Sequence, residues 1–295
     1  MDSFAECAAR ERITRLLDTG SFHEWLPPQA RVTSPHLAQL GLPAAFDDGA
    51  VIGRGRLDGA EVFIAAQEGA FMGGGVGEVH GAKLVGLLRR AQRDRPRAVL
   101  LLAESGGVRL HEANAGLIAV SELMRALLDA RAAGVPVIVL VGGANGCFGG
   151  MGIVAACADH IVMSDIARLS MSGPEVIEAS QGVEEFDSRD RALVWRTTGG
   201  KHRYLSGDCD TLVEDDVGAF RAAAIAALAS HRSMELEALQ AEHRGLQRRV
   251  ADAGDTADAV ALWQRMGVVD AGQVSHLDAA ALRPLRPMSA AALAG

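Results

Sequence analysis

Two stretches of this sequence share one design: a continuous apolar run of strand length that ends in glycines. One is RAVLLLAESGG, residues 97–107, and the other is VPVIVLVGGANGCFGG, residues 135–150. Neither run alternates polar with apolar, so each strand is expected to be covered on both faces. Parallel strands need long crossovers, usually helical. The sequence supplies them: a helix is expected from about 79 to 93, and another from about 112 to 133. The second carries Leu117, Val120, Met124 and Leu127 as its apolar stripe and is stopped by Gly134 and Pro136. The class implied is α/β with a mostly parallel sheet and surrounding helices.

The remaining elements hang on that frame. Residues 8–25 read as a helix ending at Gly20, and 26–49 as a loop rich in Pro, Gly and Asp. AVIGRGRL and AEVFIAAQ flank Asp58-Gly59, a strong hairpin signal. DHIVMS and ARLSMSG, 159–164 and 167–173, read as two strands, and 173–198 as helical pieces. GKHRYLSGDCDTLVEDD, 200–216, reads as a polar, turn-rich segment. Residues 217–250 suggest one long helix or two joined ones, and the Ala-rich last 40 residues suggest more helix. We expect a main domain over 1–230 and a helical C-terminal extension over 231–295.

Composition excludes several classes. The net charge of -8 lacks the basic footprint of a general nucleic-acid binder. Cys7, Cys147, Cys157 and Cys209 never form C-x-x-C, which argues against a zinc ribbon or other metal site. There is no charged-then-apolar leader and no apolar run of about 18 residues, so neither a signal peptide nor a membrane span is expected. Reduced thiols and no targeting segment point to a cytoplasmic protein. Nucleotide motifs fail on spacing. Gly75-Val76-Gly77 starts a G-x-G-x-x-G whose sixth position is His80, and Gly200-Lys201 is followed by His202 where a P-loop needs Ser or Thr.

The two glycine pairs, Gly106-Gly107 and Gly149-Gly150, therefore carry the functional question. Each follows a buried strand, and the second opens a helix, where backbone N–H groups are unpaired and the dipole favours negative charge. Adjacent strand ends can aim one N–H each at a common point, which makes an oxyanion hole from backbone alone. The same glycines also suit tight strand-to-helix turns, and the residues alone fit both readings.

GANGCFGGMGIVAACADHIVM, 143–163, resembles the glycine-to-helix element of the crotonase superfamily. ARERITRLLDTGSFHE, SGGVRLHEA and TTGGKHRYLSGDCDTLVED resemble carboxyltransferase subunits of acyl-CoA carboxylases. With GGGVGEVHGAKL, they are similar to the β subunits of biotin-independent malonate decarboxylases over roughly residues 6–230. The resemblance implies a crotonase-like fold. It implies a partner γ subunit of similar fold, an acyl carrier protein and an acyltransferase subunit. It implies a malonyl thioester on the carrier's CoA-like phosphopantetheine arm, decarboxylated to acetyl thioester and CO2, with no biotin and no cofactor bound directly. The family pattern assigns the oxyanion hole to Gly106, Gly107, Gly149 and Gly150.

Side-chain candidates are more open. Ser105 can bind the substrate or cap its own turn. Arg109 can hold a phosphate or carboxylate, or pair with Glu112. His111 and His202 are candidate proton donors, and Lys201 can contact the prosthetic arm or the γ subunit. Cys147 has no base near it in sequence and is a poor nucleophile. The run RRAQRDRPR, 89–97, suits an acidic carrier protein or a solvated helix end. Two other readings stand beside the resemblance: a carboxyltransferase subunit of a biotin-dependent acyl-CoA carboxylase, and a non-catalytic scaffold of the same fold. A free-standing hydratase fits less well, because no acidic residue follows Gly149 before Asp159.

Overall fold

The computed structural model describes residues 2–39, 41, 48–112, 114–254, 256 and 258–287. One seven-stranded sheet organises the chain, and its strands lie in sequence order: β1 (His23–Trp25), β2 (Ala50–Leu57), β3 (Ala60–Gln67), β4 (Ala98–Ala103), β5 (Val137–Val141), β6 (His160–Ser164) and β7 (Thr211–Val213). The β1–β2 and β2–β3 pairings are antiparallel; every pairing from β3 to β7 is parallel. The expected hairpin is present. Asp58 and Gly59 have φ of 52° and 76°, the two left-handed residues that a tight hairpin turn demands.

The helices, in chain order, are α1 (Ala9–Leu16), α2 (Pro35–Gln39), α3 (Glu78–Asp94), α4 (Asn114–Ala132), α5 (Gly150–Ala156), α6 (Pro174–Gln181), α7 (Arg191–Thr198), α8 (Gly200–Ser206), α9 (Val217–Ala227), α10 (Leu236–Ala253), α11 (Ala259–Arg265) and α12 (Ala279–Leu282). The central strands are apolar throughout because both faces are covered. Val99, Leu101, Val137, Val139 and Val141 pack with α3, α4 and α5 in one cluster. Their neighbours Ala98, Leu100, Leu102, Ile138 and Leu140 pack with α1 and α9 in the other. The far C-terminal residues Trp263, Val274 and Leu282 belong to the first cluster, so the segment after 231 shares the main core. Residues 288–295 of the Ala-rich end, and 40 and 42–47 of the expected loop, lie outside the described residues.

Several local expectations are corrected. The first helix stops at Leu16 and does not run to Gly20. Asp18 takes the amides of Asp58 and Gly59 at 3.1 and 2.8 Å, and the chain turns there to add β1 beside β2. On α4 the buried stripe is Val120, Leu123 and Leu127, while Leu117 is exposed. ARLSMSG forms isolated bridges, Leu169 to Cys147 and Arg168 to Gly199, and no strand. The segment 200–216 contains α8 and β7, because Tyr204, Leu205 and Leu212 bury there. The stretch 217–250 takes the second of its two expected forms, as the two helices α9 and α10. Between them the Arg232 amide donates to Asp159 Oδ1 at 2.9 Å.

Candidate active site

In a parallel sheet with helical crossovers, every strand end of one polarity emerges on the same rim. β4 and β5 are hydrogen-bonded neighbours, so the turns that follow them meet. The Ser105 amide donates to Gly146 O at 2.8 Å, and the Phe148 amide donates to Ser105 O at 2.7 Å. A third loop joins them: the Gly106 amide donates to Gly73 O, and the Val76 amide to Gly107 O, both at 2.8 Å.

These bonds separate the four glycines. The Gly106 amide is committed to Gly73 O, and the Gly149 amide donates to Met171 O at 3.0 Å. Among the described residues the Gly107 amide has only the Ser105 hydroxyl as acceptor, at 3.2 Å. The Gly150 amide opens α5 and donates to no described residue. The geometry brings the two pairs into contact. A Cβ built on Gly149 would lie 2.9 Å from Gly107 Cα, and Gly149 itself has φ 61° and ψ -138°, a conformation essentially closed to other residues. A Cβ on Gly150 would instead meet Val120 Cγ1 at 2.6 Å, so that position faces α4 and not the open side.

The side-chain candidates scatter. Ser105 is fully buried. Its hydroxyl donates to Gly107 O at 3.1 Å as well as accepting the Gly107 amide, which makes it a turn cap. Arg109 is also buried, and it pairs with Glu112 at 3.3 Å, bonds Asp48 O and lies 4.9 Å over the Phe71 ring. It is part of the packing under the loops and offers no open guanidinium to substrate. His80 sits beside it, and burial next to Arg109 and Lys83 lowers its imidazole to about 3. His111 is exposed on the short turn before α4. Lys201 and His202 are drawn to the C-terminal segment. Lys201 Nζ donates to Ser275 O at 2.9 Å, and the Trp263 indole donates to His202 Nδ1 at 3.2 Å. Burial lowers His202 to about 4, so its ring is neutral at pH 7, with Nδ1 accepting the Trp263 indole. Cys147 is buried, and desolvation pushes its thiol up to about 12, away from the thiolate a nucleophile needs.

Sequence reasoning missed three things. Glu104 and Asn145, flanking the turns, are tied together: the Asn145 amide donates to Glu104 Oε1 at 3.1 Å. A charged residue at the end of an otherwise apolar strand was the available signal. A cavity of about 430 Å³ borders α5, lined by Gly152, Ile153, Ser170, Met171, Arg203 and Arg249 among others. No local motif joins those residues. Finally, Leu110 and Ile153, each three residues past a glycine pair, Ile118 on α4, and Met171, whose carbonyl accepts the Gly149 amide, are 83%, 42%, 61% and 68% exposed. Among the described residues there is no cluster of three or more His, Cys, Asp or Glu suited to a metal, and no helix long and apolar enough to cross a membrane. The arginine run 89–97 lies at the C-terminal end of α3, where the crossover helix returns to the start of β4, at the rim opposite the glycines. Arg89 pairs with Glu122 and Arg90 with Asp94 there, each at 2.9 Å.

Residues 5–240 match the carboxyl transferase domain family. The chain belongs to that family. It is 47% identical over 240 residues to the malonyl-S-ACP:biotin-protein carboxyltransferase MADC of Malonomonas rubra, covering 77% of this chain and 75% of that protein. It is 34% identical to the propionyl-CoA carboxylase β chain of Saccharopolyspora erythraea, over 70% of this chain and 37% of the relative. Its structure is similar to a chain of the Pseudomonas malonate decarboxylase hetero-tetramer in complex with malonate. That match has a TM-score of 0.83 and 42% identity, and covers 90% of this chain and 97% of the other. The crotonase-like carboxyltransferase fold implied by the resemblance of the glycine motifs is thereby established, and the matched Pseudomonas malonate decarboxylase structures are hetero-oligomers.

Proposed function

We propose that this chain is the β subunit of a malonate decarboxylase and acts on a malonyl thioester carried by an acyl carrier protein. The bond from the carboxylate carbon to the α-carbon breaks, and CO2 leaves. The electron pair moves into the thioester, whose oxygen becomes the enolate oxygen. The α-carbon then takes a proton, giving the acetyl thioester. Nothing in this sequence needs a protein nucleophile. It needs fixed dipoles where negative charge grows.

The observation that carries the reading is the Gly150 amide, which opens α5 with no acceptor among the described residues, one residue after Gly149, whose built Cβ would lie 2.9 Å from Gly107 Cα. Gly107 supplies the second donor, exchanging the Ser105 hydroxyl for the substrate oxygen. The cavity beside α5 has the size of a small-ligand site, and it is our candidate for the phosphopantetheine arm. No biotin and no directly bound cofactor enter this scheme. The exposed Leu110, Ile118, Ile153 and Met171 form the surface that a γ subunit covers, with the carrier protein and an acyltransferase subunit completing the complex. His111 is the remaining exposed candidate for the proton donor, and the cytoplasm is the compartment we assign.

A second reading has a specific support, the 47% identity to a protein that transfers carboxyl to a biotin protein. The same donors would serve it. One experiment decides between them: the chain is assembled with a γ-type partner and malonyl-acyl carrier protein, and CO2 release is followed with and without avidin or added biotin-carrier protein. We expect avidin-insensitive release and no turnover by the chain alone. Acetyl thioester formed only when the biotin carrier is present and blocked by avidin, with the carboxyl group recovered on biotin and not as CO2, selects carboxyl transfer. In the same assay Gly150→Ala is expected to lose rate through its clash with Val120, and Val120→Ala in the same chain to restore it.

A further inference from the structure

The turns after β4 and β5 are joined by more than the backbone bonds of Ser105. Glu104 closes β4, and its carboxylate reaches across to the second turn, where Oε1 accepts the Asn145 amide at 3.1 Å. Oε2 pairs with Arg12, and both side chains are buried. Arg12 is itself fixed, with its guanidinium donating to Phe4 O at 2.9 Å and Ala5 O at 3.1 Å. The Glu104 amide donates to Gln67 Oε1 at 3.1 Å, and Asn145 Nδ2 donates to Gly69 O at 2.8 Å. The carboxylate thus stands between the loop that delivers Gly107 and the loop that delivers Gly150.

We infer that Glu104 is a positioning residue that sets the spacing of the two enolate-binding amides, an inference that rests on the decarboxylase reading. A hydrogen bond from an amide to an ionised carboxylate is roughly twice as strong as a neutral one, so it can hold the 145–149 turn against the pull of substrate. A bare carboxylate beside this site would oppose the negative charge of the enolate. Arg12 cancels that charge, which explains why a buried arginine from α1 is brought to the end of β4.

Two variants of the full chain, assembled with its partner subunits, separate positioning from plain stability. Glu104→Asp keeps the charge beside Arg12 but draws the carboxylate back from Asn145. Glu104→Gln keeps an acceptor within reach of Asn145 but leaves Arg12 without a counter-charge. The Gln variant should therefore lose more in melting temperature, and the Asp variant more in kcat. We expect Glu104→Asp to lower kcat about 10- to 100-fold with little change in KM, and to speed hydrogen exchange across 145–149. Loss of activity that simply follows loss of melting temperature overturns the inference, as does unchanged exchange at 145–149 in the Asp variant. If the Gln variant does not fold, the Asp variant's exchange and its kcat-against-KM split decide alone. If the wild-type complex releases no CO2 from the malonyl thioester, the functional reading has failed, and the exchange measurement still tests the coupling of the two turns.

Discussion

Each rim of the sheet carries a buried arginine–carboxylate pair. At the rim where β5 and β6 begin, Asp159 pairs with Arg131 at 3.0 Å and accepts the amides of Val137 and Arg232, each at 2.9 Å. Its own amide donates to Val137 O at 2.9 Å. That knot ties two strands and the start of the C-terminal segment, and it leaves little unspent. At the opposite rim Glu104 and Arg12 tie two turns in a similar way, yet the Gly150 amide beside them donates to no described residue. One end spends its carboxylate on an ion pair and backbone amides that hold the fold together. The other leaves the Gly150 amide without an acceptor among the described residues, an arrangement that costs stability and that the proposed function assigns to substrate.

The largest effect should come from Gly149. Gly149→Ala forces an L side chain into φ 61°, ψ -138° and drives its Cβ to 2.9 Å from Gly107 Cα. The two donor turns must separate. We expect kcat of the assembled complex to fall about 100- to 1000-fold, about 3–4 kcal/mol of transition-state stabilisation. The chain should also lose about 1–3 kcal/mol of stability from the strained backbone. Kinetics on a complex shown to be assembled checks the first, and denaturant unfolding the second. Undiminished turnover would mean that the amides at this rim are not the reactive donors.

Asp159→Asn should do the reverse. It leaves Arg131 buried without a counter-charge, which typically costs about 3–5 kcal/mol of stability. Turnover, measured well below the melting temperature, should stay within about twofold of wild type, because neither glycine turn touches this rim. A kcat loss comparable to that of Gly149→Ala would erase the division of labour between the two ends.

How much of this was legible without coordinates follows the physics of each element. The apolar runs of β4 and β5, the Asp58-Gly59 hairpin and the glycine start of α5 are local signals, and the structure has each where the sequence places it. Helix α1 was overextended because Asp18 binds amides 40 and 41 residues away, a contact no window reveals. Segment 200–216 looked like a loop because its polar residues outnumber Tyr204, Leu205 and Leu212, which do the burying. At the site, glycine pairs stand out in a sequence, but which amide of each pair is spent depends on Gly73 O and Met171 O from distant loops. Arg109 shows the same limit from the other side. An arginine three residues from a glutamate is ambiguous in sequence, and only burial shows that the pair belongs to the packing.

The smallest effect is expected at Cys147, and it tests whether the reactive rim works through main chain or side chain. The Cys147 backbone extends the sheet beyond β5: its amide donates to Arg168 O at 2.8 Å, and its carbonyl accepts the Ser170 amide at 3.1 Å. The side chain points the other way, into the main core, where burial pushes the thiol up to about 12. Cys147→Ala keeps every one of those backbone bonds and deletes one sulfur from a packed interior. The expected cost is about 1 kcal/mol of stability, the scale of removing a methyl-sized group from a core. The kcat should be unchanged. Denaturant midpoints and steady-state CO2 release measure the two quantities on the same preparation. A well-folded Cys147→Ala complex without activity would move the chemistry from the peptide dipoles of Gly107 and Gly150 to a thiolate, and the contrast between the two rims would then be one of side chains after all.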